Sequence, residues 1–133
     1  MTADQETRSE IVALIETTYR ALSTPGAAFG EIFDSPDISV AGSGVGELFT
    51  GPEAAIGLAE SASSWGFDWT SETITVWRRG DVAWAQVVGT IHVTRRDFDG
   101  IVPYRTTGVF GLENGRWRWL YWGGTEPHNP PRV

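Results

Sequence analysis

The stretch from Tyr104 to Thr125, YRTTGVFGLENGRWRWLYWGGT, constrains the fold of this chain more than any other part of it. It predicts a long antiparallel hairpin that turns at Asn114-Gly115, because both residues tolerate the positive φ angles of a tight two-residue turn. The returning limb carries large apolar side chains in both phases of the strand alternation. Alternation predicts one face with Trp117, Trp119 and Tyr121, and the opposite face with Leu120 and Trp122.

An antiparallel sheet with one face in water should alternate apolar and polar residues, and this hairpin does not. We therefore expect helices to cover one face and a second copy of the protein to cover the other. A homodimer through the convex face of the sheet would bury Leu120, Trp122 and the second apolar face of the strand 82–94. Without such a partner these side chains would form a large exposed apolar patch.

Length and the order of the elements predict the fold class. A chain of 133 residues forms one domain, 1–133, whose last residues, 126–133, read as an irregular proline-rich tail. The pattern predicts a helix from Asp4 or Thr7 to Leu22 and a short helical piece over Ala27–Phe33. A short strand, Ile38–Ala41, and a second full helix follow, the latter beginning with Thr50 as its cap.

The second half of the chain is predicted to be β. Strands over 71–78 and 82–94 precede the hairpin and make a meander of four strands. Helices collected early and strands collected late indicate an α+β protein, with a curved antiparallel sheet wrapped around the N-terminal helices. Such a sheet forms a cone with an apolar interior, which is where a pocket is expected.

Composition excludes several classes of protein. The formal net charge is −7, with ten arginines and no lysine, which argues against nucleic acid as a partner. The basic pairs Arg78-Arg79 and Arg95-Arg96 lie beside predicted turns and are expected to be solvated. The absence of cysteine excludes disulfides, zinc ribbons and thiolate catalysis. No run approaches the roughly 20 apolar residues of a membrane span, and the polar start is not a secretory signal, so we expect a cytoplasmic protein.

Several motifs of the sequence resemble a known family when they are taken together. FTGPEAAIGL follows a short strand, RRGDVAWAQV enters a long one, and RTTGVFGLENGRWRWLYW ends the chain. In this order they resemble the SnoaL-like branch of the nuclear transport factor 2-like superfamily. The chain is also similar to the association domain of calcium/calmodulin-dependent protein kinase II. The resemblance implies a cystatin-like α+β cone, a dimer through the convex sheet face and a small-molecule pocket on the concave side.

The resemblance implies little about a reaction, because members of this superfamily include polyketide cyclases, isomerases, dehydratases and proteins without catalysis. Tyr19 lies where ketosteroid isomerases place an oxyanion tyrosine, late in the first helix. Their general-base aspartate would fall near Gly42 or Ser43, where this chain has no carboxylate. Their second acid falls near Thr106 or Thr107. The late-strand aspartate of SnoaL-type cyclases has no counterpart here.

Three side chains are the candidate catalytic residues. Tyr19 can donate a hydrogen bond to a ligand carbonyl, although an amphipathic side chain at the edge of a helix face explains it equally well. His92 suits acid–base chemistry near neutral pH, although a strand histidine is more often exposed or simply hydrogen-bonded. Arg105 can clamp an acidic ligand, or pair with an acid on the neighbouring strand.

The surplus of aromatic residues, seven Trp and six Phe among them, predicts a pocket for a planar, mainly apolar ligand. The candidate ligand-binding residues are Trp65, Trp69, Trp84, Trp119 and Tyr121. We expect neither a metal nor a cofactor, since the two histidines lack the spacing of metal ligands and no carboxylate cluster accompanies them. The glycines at 42, 44 and 46 lack the βαβ context of a dinucleotide site and are expected to bend the chain at the rim of the cone.

The sequence therefore leaves two functions open. In the first, the protein is a SnoaL-like, polyketide-cyclase-like pocket protein that binds a small apolar or aromatic molecule. Acid–base chemistry such as cyclisation, isomerisation or dehydration would then occur in the pocket. In the second, it is a non-catalytic dimerisation or ligand-sensing module whose cone is filled by its own side chains, Trp84 and Trp119.

Overall fold

The computed structural model describes residues 2–128, which form two helices and six strands. In chain order these are α1 (Gln5–Leu22), β1 (Ser39–Ala41), β2 (Leu48–Thr50), α2 (Pro52–Ser63), β3 (Asp68–Arg79), β4 (Val82–Arg95), β5 (Phe98–Glu113) and β6 (Arg116–Thr125). This is the predicted α+β architecture, an unclosed curved sheet with helices against one face. Residues 126–128 are in neither a helix nor a strand, and the rest of the predicted tail lies outside the described residues.

The six strands form one mixed sheet in the order β2-β1-β6-β5-β4-β3. The predicted meander of four antiparallel strands is confirmed for β3 to β6. Strand β1 joins it by pairing parallel with β6, and β2 pairs antiparallel with β1 at the edge. Strands β4 and β5 are the longest, so their hairpin extends beyond the part of the sheet that the helices cover.

The first helix has a strong start and one buried face. Asp4 is its cap, and its carboxylate accepts a hydrogen bond from the backbone N–H of Thr7 at 2.8 Å. The Thr7 hydroxyl donates a second hydrogen bond to the same carboxylate at 2.9 Å. The two bonds lower the pKa of Asp4 below its usual value, because they stabilise the carboxylate. The buried positions recur at helical spacing and face the sheet: Thr7, Ile11, Ile15, Thr18, Tyr19 and Leu22.

The predicted turn at Asn114-Gly115 is present, with φ angles of 53° and 75°. The predicted alternation along β6 is wrong after Trp119. A bulge shifts the register there: Trp119 pairs with Phe110, and Tyr121 pairs with the preceding residue, Val109. Leu120 is the extra residue, so Leu120 and Tyr121 both lie on the outer face, while Trp122 returns to the buried face and is 5% exposed.

Three other predicted elements differ from the structure. Residues 27–33 make isolated turns and no helix, because this segment forms only single i→i+3 and i→i+4 bonds around Phe29. Thr50 does not cap the second helix: it ends strand β2, and Gly51 occupies the cap position without a side-chain bond. Strand β2 itself was not predicted, since three residues are too few for an alternating pattern.

The sheet presents two chemically different faces. The concave face meets the helices with small and aliphatic side chains of β4, namely Ala83, Ala85, Val87, Ile91 and Val93. The outer face carries a row of rings and aliphatic groups across four paired strands, namely Trp77, Trp84, Val109 and Tyr121. No helix among residues 2–128 is long and apolar enough to cross a membrane.

Candidate functional site

A cavity of about 310 Å³ opens at one end of the cone, between α2 and the concave face of the sheet. Aromatic and aliphatic side chains make most of its wall, with a few polar groups among them. Its aromatic lining consists of Phe33, Trp65, Phe67, Trp69, Tyr104 and Trp122. We call this region the open end.

The cavity exists because α2 presents small side chains to it. Ala55, Ala59, Ser61 and Ala62 line the wall from this helix, together with one larger side chain, Leu58. Helix α1 instead presents Ile11 and Ile15, which are fully buried against the sheet. A second cavity, of about 220 Å³, lies outside them between α1 and the β5–β6 turn, and its wall is largely charged. Helix side-chain size therefore decides which end of the cone is hollow.

The hydroxyl of Tyr104 is a polar group in the cavity wall. Tyr104 is 5% exposed, and its hydroxyl lies against Gly124 on the neighbouring strand, where any side chain would collide with it. Burial raises the pKa of Tyr104, and the negative charges of Glu47 and Glu126 raise it further. Trp122 and Ser43 provide hydrogen-bonding groups that partly oppose this rise in the pKa. The Tyr104 hydroxyl therefore keeps its proton at physiological pH.

The loop 42–46 carries a carboxylate to the same part of the cavity. Glu47 lines the cavity, and its Oε1 accepts a hydrogen bond of 2.6 Å from the backbone N–H of Gly44. A side chain at Gly42 or at Gly44 would lie within 3 Å of the Glu47 side chain. The glycines therefore make room for this carboxylate.

The far side of the cavity, toward the β4–β5 turn, has the opposite charge. Arg95 is the one cationic side chain among the residues that line the cavity. Its guanidinium lies 5.9 Å from the centre of the Phe67 ring, which in turn stacks on Trp65. Acidic and basic groups are thus separated along the length of the cavity.

Tyr19, a candidate catalytic residue, lies behind the cavity wall. It is 3% exposed, and its hydroxyl shares a 2.6 Å hydrogen bond with the Thr106 hydroxyl. The rings of Trp69 and Trp122 pack against it at 5.6 and 5.9 Å and separate it from the cavity. Burial raises the pKa of Tyr19 far above its usual value.

Four other predicted site residues lie on the outer face of the sheet, away from the cavity. The Nε2 of His92 shares a 2.7 Å hydrogen bond with Asp99, and Arg105 is exposed opposite Val88. Trp84 stacks on Trp77 with ring centres 6.4 Å apart, and Tyr121 lies in the same row. The structure therefore does not bring these residues together with Trp65 and Trp69, which do line the cavity.

Trp119 lies deeper in the cone, directly behind the cavity residues Phe33 and Trp122, in the region that we call the closed end. It is fully buried, and its indole N–H donates to the Thr18 hydroxyl at 3.1 Å. Its ring packs against Phe110 at 4.4 Å and Phe33 at 5.9 Å. These aromatic contacts fill the closed end and leave the open end empty.

Sequence reasoning missed most of the cavity residues, among them Glu47, Arg95, Tyr104 and Trp122. The sequence of β4 contained one usable signal, because alanines alternate there with large residues. Small residues belong on the face that a helix approaches closely, so this pattern predicts that Trp84 faces outward. The bulge that brings Trp122 inward has no comparable signal. No group of three or more His, Asp or Glu side chains in the described part of the chain could hold a metal ion.

A cone with an unclosed sheet and a hollow open end is the architecture of nuclear transport factor 2-like proteins, also called cystatin-like. Residues 11–125 match the model of the SnoaL-like domain, and the chain belongs to that family. No curated protein sequence matches the chain at a significant level.

Solved structures share the fold at low sequence identity. An uncharacterised protein with a cystatin-like fold from Caulobacter vibrioides is 22% identical with a TM-score of 0.78, over 92% of this chain and 91% of that one. A protein of Streptomyces avermitilis, provisionally named an NTF2-like dehydratase, is 11% identical with a TM-score of 0.78, over 95% and 100%. A protein of Xanthomonas campestris, provisionally named a calcium/calmodulin-dependent protein kinase II association domain, is 20% identical with a TM-score of 0.74, over 89% and 86%.

Proposed function

We propose that this SnoaL-like protein binds a small, mainly apolar or aromatic molecule in the open end of the cone. The observation that carries the proposal is the cavity of about 310 Å³, within the size range of small-molecule sites, with Tyr104 in a mainly apolar wall. Flat aromatic walls favour a planar ligand, because ring faces and edges pack on one another. The neutral Tyr104 hydroxyl would donate a hydrogen bond to an oxygen of that ligand.

The reading in which the protein fills its own cone has less support. It requires Trp84 and Trp119 to occupy the interior together, whereas Trp84 lies on the outer face. Trp119 fills only the closed end, and it is not among the residues that line the cavity.

Binding is tested by thermal shift and calorimetry with planar ring ketones such as 2-tetralone. We expect Tyr104→Phe to weaken binding by about 3- to 10-fold, the value of one hydrogen bond between neutral groups. Tyr121→Phe, which removes the same atom from the outer face, is the matched control and should leave affinity unchanged. Equal affinities in all three proteins, or no shift with any aromatic compound, would reject the proposal.

Acid–base chemistry on the bound molecule is a further part of the proposal. Tyr104 would hold a carbonyl oxygen and stabilise the charge that develops on it when a neighbouring carbon loses a proton. Glu47 would take that proton, because it is the carboxylate on the cavity wall that a backbone N–H holds in place. Such a proton transfer is the common step of cyclisation, isomerisation and dehydration.

This step is measured by NMR as exchange of the ring-ketone C–H protons of 2-tetralone with deuterium from the solvent. We expect the protein to accelerate exchange above the buffer rate, and Glu47→Gln to lower that acceleration by about 100-fold or more. Glu126→Gln is the control at the second carboxylate of the same wall. An exchange rate that the protein leaves unchanged would reject the chemistry and retain the binding.

The outer face supports a second proposal, a homodimer through the convex side of the sheet. Val82, Trp84 and Val88 are 42%, 37% and 46% exposed along one strand. Together with the row that includes Trp77 and Tyr121 they form a continuous apolar surface, larger than isolated exposed residues would make. A second copy of the chain presents the same surface, as a two-fold interface requires.

Light scattering at micromolar concentration tests the dimer. We expect a mass twice that of the chain, and a monomer when Trp84→Arg places a charge in the middle of the patch. Val45→Arg changes an exposed apolar side chain in the loop 42–46 and should remain dimeric. A monomeric wild-type protein would contradict this proposal.

A further inference from the structure

The lengthwise separation of charge in the cavity indicates which kind of molecule fits it. Tyr104 pairs with Gly89 in the β4–β5 ladder, and Arg95 lies six residues beyond Gly89 on β4. At the rise of an antiparallel strand the Cα atoms of Gly89 and Arg95 are therefore about 20 Å apart. Arg95 and the carboxylates that act on Tyr104 therefore lie toward different ends of the cavity.

Arg95 is free to receive a ligand anion. None of the ion pairs among residues 2–128 involves Arg95. The nearby carboxylate of Asp99 is taken by His92 on the outer face of the sheet. Arg95 lies instead against the Phe67 ring, which fixes the guanidinium at the cavity wall while leaving its N–H donors available.

The chemistry between the two ends is apolar. Phe67, Val93 and Val102 line the wall there, and no charged side chain among the lining residues separates Tyr104 from Arg95 along this wall. Glu47 and Glu126 both act on Tyr104, which places the negative charges at the end away from Arg95. A carboxylate ligand therefore meets attraction at one end and repulsion at the other, which sets its orientation.

We propose that the ligand of this cavity is an elongated aromatic or apolar acid, whose anionic group binds Arg95 and whose body extends toward Tyr104. This inference rests on the binding function proposed above and adds the charge and the direction of the ligand. It also assigns a specificity-determining role to Arg95, a residue that the sequence pattern marked as solvated.

The test compares two probes of the same shape, 4-(biphenyl-4-yl)butanoic acid and its primary amide, by calorimetry. We expect the acid to bind the wild-type protein more tightly, and Arg95→Gln to weaken the acid by about 5- to 10-fold while changing the amide less than about twofold. Arg96→Gln removes a neighbouring positive charge that does not line the cavity, and should leave both affinities unchanged. Added salt should weaken the acid more than the amide.

The possible outcomes separate the two proposals. If both probes bind equally and Arg95→Gln affects neither, the role of Arg95 is wrong and the binding function stands. If Arg96→Gln weakens the acid as much as Arg95→Gln does, the effect is general electrostatic attraction and the role of Arg95 is again wrong. If neither probe nor any ring ketone binds, the binding function fails and this inference fails with it.

Discussion

The closed and open ends of the cone are built from the same kinds of residue and differ in what opposes them. At the closed end the ring of Trp119 packs against Phe110 and against Phe33, which also lines the cavity, and the isoleucines of α1 are fully buried. At the open end comparable rings face the small side chains of α2 across a cavity of about 310 Å³. Aromatic residues alone therefore do not indicate a binding site; the size of the side chains opposite them does.

Trp119→Ala should have the largest effect on this contrast. The substitution opens a void in a fully buried cluster and removes a hydrogen bond to Thr18, so we expect a loss of about 3–5 kcal/mol in the free energy of unfolding. The matched change at the open end, Trp65→Ala, removes a ring that is 66% exposed and should cost less than about 0.5 kcal/mol. Urea unfolding of both variants measures the difference, and similar losses would show that the two ends are not distinct.

Gly124→Ala should have the next largest effect, because the new methyl group would collide with the Tyr104 hydroxyl. We expect a loss of about 1–3 kcal/mol, the usual cost of overpacking, and a partial recovery when Tyr104→Phe is added. Gly57→Ala, at an open helical position with no neighbour within 4 Å, should instead gain about 0.5–1 kcal/mol. Equal effects of Gly124→Ala with and without the Tyr104 hydroxyl would contradict the contact.

The free energy of unfolding should fall at alkaline pH because of the two buried tyrosines, Tyr19 and Tyr104. Burial raises the pKa of Tyr19 and of Tyr104 above the value of about 10 that holds in the unfolded chain, so the folded protein keeps protons that the unfolded chain releases. Their stabilising effect is complete below about pH 10 and is lost as the pH rises further, by up to about 1.4 kcal/mol per pH unit for each tyrosine. Urea unfolding at several pH values measures this loss. Tyr19→Phe or Tyr104→Phe should make the free energy of unfolding depend less on pH above about pH 10. An unchanged pH dependence in both variants would refute the prediction.

Ala59→Leu should have the smallest effect on stability and a large effect on binding. Ala59 is 5% exposed and lines the cavity, so the added atoms enter empty space and should change the free energy of unfolding by about 1 kcal/mol or less. The same atoms should displace a ligand and abolish the thermal shift that aromatic compounds give. A stable Ala59→Leu protein that still binds would place the ligand elsewhere.

Much of the fold could be predicted because local chemistry specifies it. The Asn114-Gly115 turn needs positive φ at both residues, and the alternation along β4 separates its two faces over a long strand. The helix over Ala27–Phe33 was wrong because one turn of backbone bonds does not nucleate a helix without further turns. Strand β2 pairs with β1 across a loop in which Glu47 folds back over Gly42 and Gly44, and its three residues are too few to show a pattern.

The candidate site was harder to predict than the fold, because it depends on strand parity and on which helix lies opposite. Trp65 and Trp69 were expected in the cavity and line it, whereas Trp84 and Tyr121 lie on the outer face. Tyr19 was expected at the ligand on the strength of a family resemblance, but a layer of tryptophan rings separates it from the cavity. Tyr104 is the tyrosine that lines the cavity instead, and it cannot be identified from spacing.

The unpaired Leu120 has a consequence for how relatives of this chain are compared. One extra residue moves Trp122 to the inner face. Inner residues therefore have odd numbers before the bulge and even numbers after it. A relative that lacks this residue would alternate strictly, with its counterpart of Tyr121 directly after that of Trp119 and still outward, and its counterpart of Trp122 still inward. The two chains then match face for face only when the gap is placed opposite Leu120. A one-residue gap in an alignment at this point therefore changes which side chains are compared as cavity residues in the two proteins.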